Sequence, residues 1–272
     1  MSGRRLDNFC NLLFEFSSVD RLDILLLLKK SPLKLSHISS DLAFTVQETS
    51  RNVARLADAK LIAKDVDGLF HLTAYGKEAL SQLSGFRFLF KNREYFTAHS
   101  AKDLPKQFDL SLGMLENCEL VEDVMVVFRN VEEMISNAEE HVWILTNQVL
   151  ASTIPYLISA LERGAEFRLV MQKDYNPTKS IRELVSNPVF AKSSRTHKTN
   201  FRFLVKVPAL LCLSEKNVAA LAFPDTQEKL DYTGFKSENR DALNWSSALY
   251  DFYWSRASHQ IPDQLISPKP NL

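Results

Sequence analysis

The sequence predicts an α+β protein: a small helical module closing on a β-hairpin, then an α/β domain with a mostly parallel sheet. Three observations carry this. Thr45 to Thr73, TVQETSRNVARLADAKLIAKDVDGLFHLT, reads as an amphipathic helix, a short strand, an Asp67-Gly68 turn and a returning strand. Upstream of it, apolar residues recur at helical spacing. Downstream, short apolar runs alternate with amphipathic helices, the order of an α/β layer.

In chain order, LDNFCNLLFEF places Leu6, Phe9, Cys10, Leu13 and Phe16 on one face, which either caps its own core or packs against a twin. Ser18 opens a helix to Lys30 that buries Leu22, Ile24, Leu25 and Leu26 and ends at Ser31-Pro32. Leu33 to Leu35 has room for one short strand, and Ser36 opens a second helix. Thr45 with Glu48 three residues on is a capping box for a third. Two helices joined by a three- or four-residue turn and followed by a hairpin make a winged helix-turn-helix, which places a helix in the DNA major groove.

In that third helix Val46, Val53, Leu56 and Ala57 are expected to seal the core. Gln47, Thr49, Ser50, Arg51, Asn52 and Arg55 are the candidate DNA contacts, because Arg reads guanine edges or phosphate and Gln and Asn read adenine. Lys64 and His71 on the wing would meet flanking backbone. The wing also carries Asp65 and Asp67, so its contact is expected to be light.

Residues 1–84 are read as the DNA-binding domain and 85–123 as an aromatic linker with a helix. Residues 124–260 form the effector domain, and 261–272, with Pro262, Pro268 and Pro270, a loose tail. In the linker, Phe86, Phe88, Phe90, Tyr95 and Phe96 require a partner surface, and Phe108 to Leu120 reads as a helix. In the third part, strands are expected at His141–Thr146, Glu166–Met171, Phe201–Val205, Leu210–Leu213 and Val218–Phe223. Helices are expected near 128–140, 149–163, after Pro177 and over Asn244–Ser258. Ligands of such sheets bind beyond the carboxyl ends of strands, which singles out Asn147, Lys173 and Lys206 for a small polar or anionic effector. The run from Lys192 to Lys206, with Arg195, His197, Lys198 and Arg202, is basic and is read as a solvated segment.

Composition narrows the classes. Lys+Arg and Asp+Glu both number 33, and residues 1–99 hold 14 basic against 11 acidic, a slight positive bias on the proposed DNA side. No apolar run approaches a membrane span and no signal peptide is legible, so the expectation is a cytoplasmic protein without a membrane partner. Cys10, Cys118 and Cys212 form no Cys-x-x-Cys pair, so no metal site is expected. No phosphate loop, Gly-x-Ser-x-Gly or His-Glu-x-x-His occurs, so no catalytic residue and no cofactor is assigned.

The run Arg51-x-x-x-Arg55-Leu56, then Leu61-Ile62, the wing, and Leu72-Thr73-x-x-Gly76 resembles the winged-helix domains of prokaryotic regulators. With the aromatic linker and the closing Trp245-x-x-x-Leu249-Tyr250-x-Phe252-Tyr253-Trp254, the layout resembles archaeal regulators of the methanogenesis-regulatory-protein type. The resemblance implies sequence-selective binding of double-stranded DNA by a homodimer, and a sensor in the second domain. That domain also distantly resembles one half of a phospholipase D-type fold. There, Val207-Pro208-Ala209 and Ser214 occupy the positions of the His-x-Lys and Asp that carry the family's chemistry, which implies binding without cleavage. The rival reading is a winged-helix protein-interaction module on a scaffold or on a degenerate phospholipase D-like enzyme.

Overall fold

The computed structural model describes residues 3–173, 186–196 and 198–259. The chain divides into two compact units, Met1–Ser84 and Gly85–Leu272.

The first unit runs α1 (Gly3–Phe16), α2 (Val19–Lys30), α3 (Leu35–Asp41), α4 (Val46–Asp58), β1 (Ile62–Lys64) and β2 (Phe70–Leu72), then enters α5 (Ala74–Lys91). Ile24, Leu25 and Leu28 of α2, Ile38 of α3, Val53 and Leu56 of α4, and Leu61, Ile62 and Leu72 of the hairpin make one core. β1 and β2 pair antiparallel, Ala63 opposite His71. Leu33 adds a single bridge to Phe70, so the expected short strand is one residue of pairing. These elements follow the helix, turn, helix and hairpin order read from the sequence.

Local chemistry explains each boundary. Thr45 Oγ1 accepts from the Glu48 amide and the Glu48 carboxylate accepts from the Thr45 amide, the capping box read from the sequence. In the turn before it, Ala43 takes a left-handed φ of 55° and Ser39 Oγ donates to Phe44 O at 2.7 Å. After α4, Lys60 N donates to Ala57 O and Leu61 N to Leu56 O, with Lys60 at φ 62°. That pair of bonds is a Schellman ending, with lysine where glycine is usual.

The second unit contains α6 (Arg93–Ala98), α7 (Lys106–Asp109), a 3-10 turn (Leu112–Leu115), β3 (Glu119–Val121), α8 (Val124–Asn137), β4 (His141–Thr146), a 3-10 turn (Ala151–Thr153), α9 (Ile154–Arg163) and β5 (Glu166–Gln172). After an undescribed stretch come α10 (Pro188–Arg195), β6 (Thr199–Leu204), β7 (Leu210–Ser214), β8 (Val218–Ala222), β9 (Gly234–Ser237) and α11 (Arg240–Arg256). The helix expected after Pro177 and the tail 261–272 lie outside the described residues.

The seven strands lie in the order β3-β9-β8-β7-β4-β5-β6. β4, β5 and β6 are parallel, as the strand–helix–strand order requires. β7, β8, β9 and β3 continue the sheet antiparallel. The three-residue loop from β7 to β8 and the eleven-residue loop from β8 to β9 fall short of the dozen or more residues a crossover takes, so these strands reverse as hairpins do. β3 and β9 are three and four residues long and were not anticipated. One core lies under α8, α9 and α10, the other under α11.

Residues 85–123 do not stand apart from the second unit. Phe88, Tyr95, Leu104, Phe108, Leu112, Leu115 and Cys118 belong to the α11-side core. The helix expected over Phe108–Leu120 is instead α7, the 3-10 turn and β3, because apolar residues three and four apart also suit a broken chain that returns repeatedly to one core. Among the described residues, no helix is long and apolar enough to cross a membrane.

Candidate nucleic-acid interface

α4 separates the expected contact residues into three groups. Thr49 faces the core, in line with the expected core residues Val53 and Leu56. Gln47, Ser50 and Arg51 are exposed, and Asn52 is half-buried. Among the described residues Arg51 makes no ion pair. These are the side chains the helix offers to a ligand.

Thr49 is a correction. It is 0% exposed, and its Oγ1 donates to Thr45 O at 2.9 Å. Val46 and Ala57, expected in the core, are exposed instead, Val46 by 63%. The buried stripe passes through position 49, which turns 46 and 57 outward.

Arg55 has a different task from the one expected. Its Nη2 and Nε donate to Glu15 of α1 at 2.7 and 3.2 Å. Glu15 also receives Arg21 Nε at 2.8 Å, and both guanidiniums lie over the Phe14 ring, 5.5 and 5.3 Å from its centroid. Arg21 further donates to Phe14 O and Glu15 O, satisfying carbonyls at the end of α1. A half-buried acid holding two arginines therefore seats α1 on the module. Arg55 is spent on that seat rather than free for phosphate.

On the wing, Lys64 lies 5.6 Å over the Phe70 ring with its side chain exposed, and His71 is half-buried. Asp65 Oδ1 accepts from Asp67 N and Leu69 N, so this acid shapes the turn, and Gly68 supplies its φ of 80°. Val66 stands fully exposed at the tip.

At the carboxyl ends of the parallel strands, Asn147 Oδ1 accepts from Tyr232 Oη at 3.0 Å. Lys173 is exposed, its amide donating to Leu204 O at 2.8 Å. Lys206 is another correction. Its Nζ lies 2.7 Å from Asp103 and 2.9 Å from Glu228, and these carboxylates hold its pKa above the usual lysine value. A lysine between two acids has no charge left for an anionic effector. Val207 and Ala209, at the positions matched to His-x-Lys, and Ser214 are all buried.

The basic run of residues 192–206 is not one segment. Lys192 and Arg195 sit on α10, Lys198 Nζ donates to Gly164 O at 2.7 Å, and Arg202 lies 4.2 Å over the Trp254 ring. His197 lies outside the described residues. The C-terminal aromatic stripe is core for Trp245, Leu249 and Tyr250, and Trp254 covers the outer strands.

Tyr232 was missed. It packs against Phe128 and hydrogen-bonds the β4 exit, with φ at 68°. No motif marks it, because a left-handed tyrosine is a product of the fold. Among the described residues no three His, Cys, Asp or Glu side chains gather as a metal site.

No protein-family model matches the chain, and no curated protein matches it. Among solved structures, it is similar to TrmBL2, an archaeal chromatin protein, at 13% identity over 95% of this chain and 100% of that one, TM-score 0.41. It is also similar to NucT from Helicobacter pylori, at 13% identity over 53% and 98%, TM-score 0.40. A third likeness is to the phospholipase D family member Nuc from Salmonella typhimurium, at 11% identity over 48% and 88%, TM-score 0.35. Likenesses this distant carry no functional conclusion.

Proposed function

We propose that this chain is a non-catalytic, cytoplasmic DNA-binding regulator, with the 1–84 unit as the reader and the second unit as a sensor of a small ligand. The observation that carries the reading is the division of α4. Its apolar face is sealed by the module's core, while Gln47, Ser50 and Arg51 project together from a helix held by a capping box and a Schellman ending. A rigid helix presenting amide, hydroxyl and guanidinium groups, beside a hairpin bearing Lys64, suits a major groove and its flanking phosphates.

The same geometry favours a homodimer. One such face with few uncommitted cations binds weakly, and two on a two-fold site bind well. Leu6, Phe9, Cys10 and Leu13 remain exposed on α1, which the Glu15 seat holds in place, and Phe86 and Phe90 are exposed on α5. These apolar side chains suit a second copy of the chain.

The test is binding of duplex DNA selected from random sequence, followed over a salt series. Affinity should fall steeply with salt through counterion release, and Arg51→Ala should weaken it. Affinity unchanged by both would sink the reading. The exposed Val46 and Val66 favour a second reading, in which the same face docks on a protein. Binding through those valines would be nearly independent of salt.

A further inference from the structure

We propose that the second unit holds a gated pocket for a small monocyclic aromatic ligand carrying one hydrogen-bonding group, and that the Tyr232 ring is the gate. The pocket lies between α8 and the faces of β4, β5 and β7, reaching the exit of β4. Val127, Val131, Phe167 and Leu210 line it together with Thr146 and Gln148. Its present volume is about 30 Å³, too small for an aromatic ring while Tyr232 stays in place. None of its lining residues is charged, so an anion entering would lose hydration without a partner.

Tyr232 specifies the ligand by what it does there. Its ring packs edge-on against Phe128, centroids 5.7 Å apart at 75°, and its hydroxyl donates to Asn147 Oδ1. The backbone holds a left-handed φ of 68°, which a bulky side chain rarely adopts. Ring packing and the hydroxyl's contacts with Asn147 and Gln148 hold the ring in place against that strain, so the gate is closed but under tension. A phenol-like molecule that took the ring's place would keep the Phe128 contact, meet the same carboxamides and release the strain.

The gate is wired to the chain's path out of α5. Tyr232 follows Asp231, whose Oδ2 lies 2.9 Å from His99 Nε2. In the same loop Glu228, also left-handed at φ 66°, receives Lys102 and Lys206. His99 and Asp225 form a backbone bridge. Displacing Tyr232 therefore pulls on residues 98–103. This consequence rests on the sensor reading above; the pocket itself does not.

The test is calorimetric titration of the full chain with p-cresol, without DNA. Wild type should bind weakly. Tyr232→Gly, which suits the positive φ and removes the gate, should bind at least tenfold tighter. Adding Val131→Phe to fill the pocket should abolish saturable heat, and benzoate should not bind. If Tyr232→Gly fails to fold, Tyr232→Asn, which also tolerates the positive φ and removes the ring, replaces it with the same expectation. No saturable heat from a folded gate variant, or binding that survives Val131→Phe, overturns the proposal. Duplex DNA affinity is then measured with and without p-cresol: a bound ligand that leaves it unchanged refutes the sensor reading and leaves the pocket standing.

Discussion

A side-chain carbon at position 76 would lie 1.9 Å from the Leu61 carbonyl oxygen, so only glycine lets α5 start against the turn that follows α4. Thr73 completes the junction: its Oγ1 donates to Lys60 O at 2.7 Å and accepts from Gly76 N at 2.9 Å. The Leu-Thr-x-x-Gly pattern is thus a packing device for the base of the wing. Gly76→Ala should destabilise the first unit by about 3 kcal/mol, typical of an overpacked site, read as a fall in its thermal midpoint.

Lys60 occupies the left-handed position that ends α4. A lysine there bears roughly 1–2 kcal/mol of steric strain that glycine avoids, partly offset by glycine's greater unfolded-state freedom. Lys60→Gly should therefore raise the urea midpoint, by a net of about 1 kcal/mol. A fall in midpoint would mean the lysine side chain contributes more than its backbone costs.

Arg51 and Arg55 are one turn apart and should behave differently. Arg51→Ala should lower DNA affinity about tenfold and reduce the salt slope by about 1, while leaving stability intact. Arg55→Ala should lower the melting temperature, because Glu15 loses one of its two guanidiniums. Equal effects on DNA binding from both variants, at unchanged stability, would contradict the seat assigned to Arg55.

The three thiols should separate cleanly. Cys10 is exposed, whereas Cys118 and Cys212 are buried, their thiols pushed up by desolvation to about 11 and about 12. At pH 8 an aromatic disulfide reagent should modify one thiol per folded chain and three after denaturation. If a dimer covers α1, that single reaction should also slow with protein concentration.

Glu228 predicts an acid dependence. Hydrogen bonds from Lys206 and then Lys102 hold its carboxyl down to about 2, against 4.5 for the unperturbed group. A depressed carboxylate contributes stability above the unfolded value and loses it as pH falls through the folded one. The staple to residues 102 and 206 should therefore hold at neutral pH and be lost between about pH 4.5 and 2. Glu228→Gln should flatten the acid limb of the stability curve across that window, and high salt should narrow the difference because the groups are exposed.

The module was legible because its signals are local. A capping box, a helix-period stripe, an Asp-Gly turn and a Leu-Thr-x-x-Gly run each act over a few residues, so their chemistry appears in the order of the letters. Helix positions still slipped where the stripe has two solutions: Thr49 rather than Val46 and Ala57 entered the core. Lys206 could not be read at all, since its partners lie 103 and 22 residues away.

By itself, then, the sequence determined that a capped, amphipathic helix precedes a hairpin and that strands alternate with helices beyond it. Only tertiary structure decided which cations stay uncommitted, how the sheet turns antiparallel past β4, and where a tyrosine closes an apolar pocket. The physical reason is range. Hydrogen-bonded caps and periodic burial are settled within a turn or two of chain, whereas charge pairing, strand neighbours and cavities depend on residues that meet only after folding.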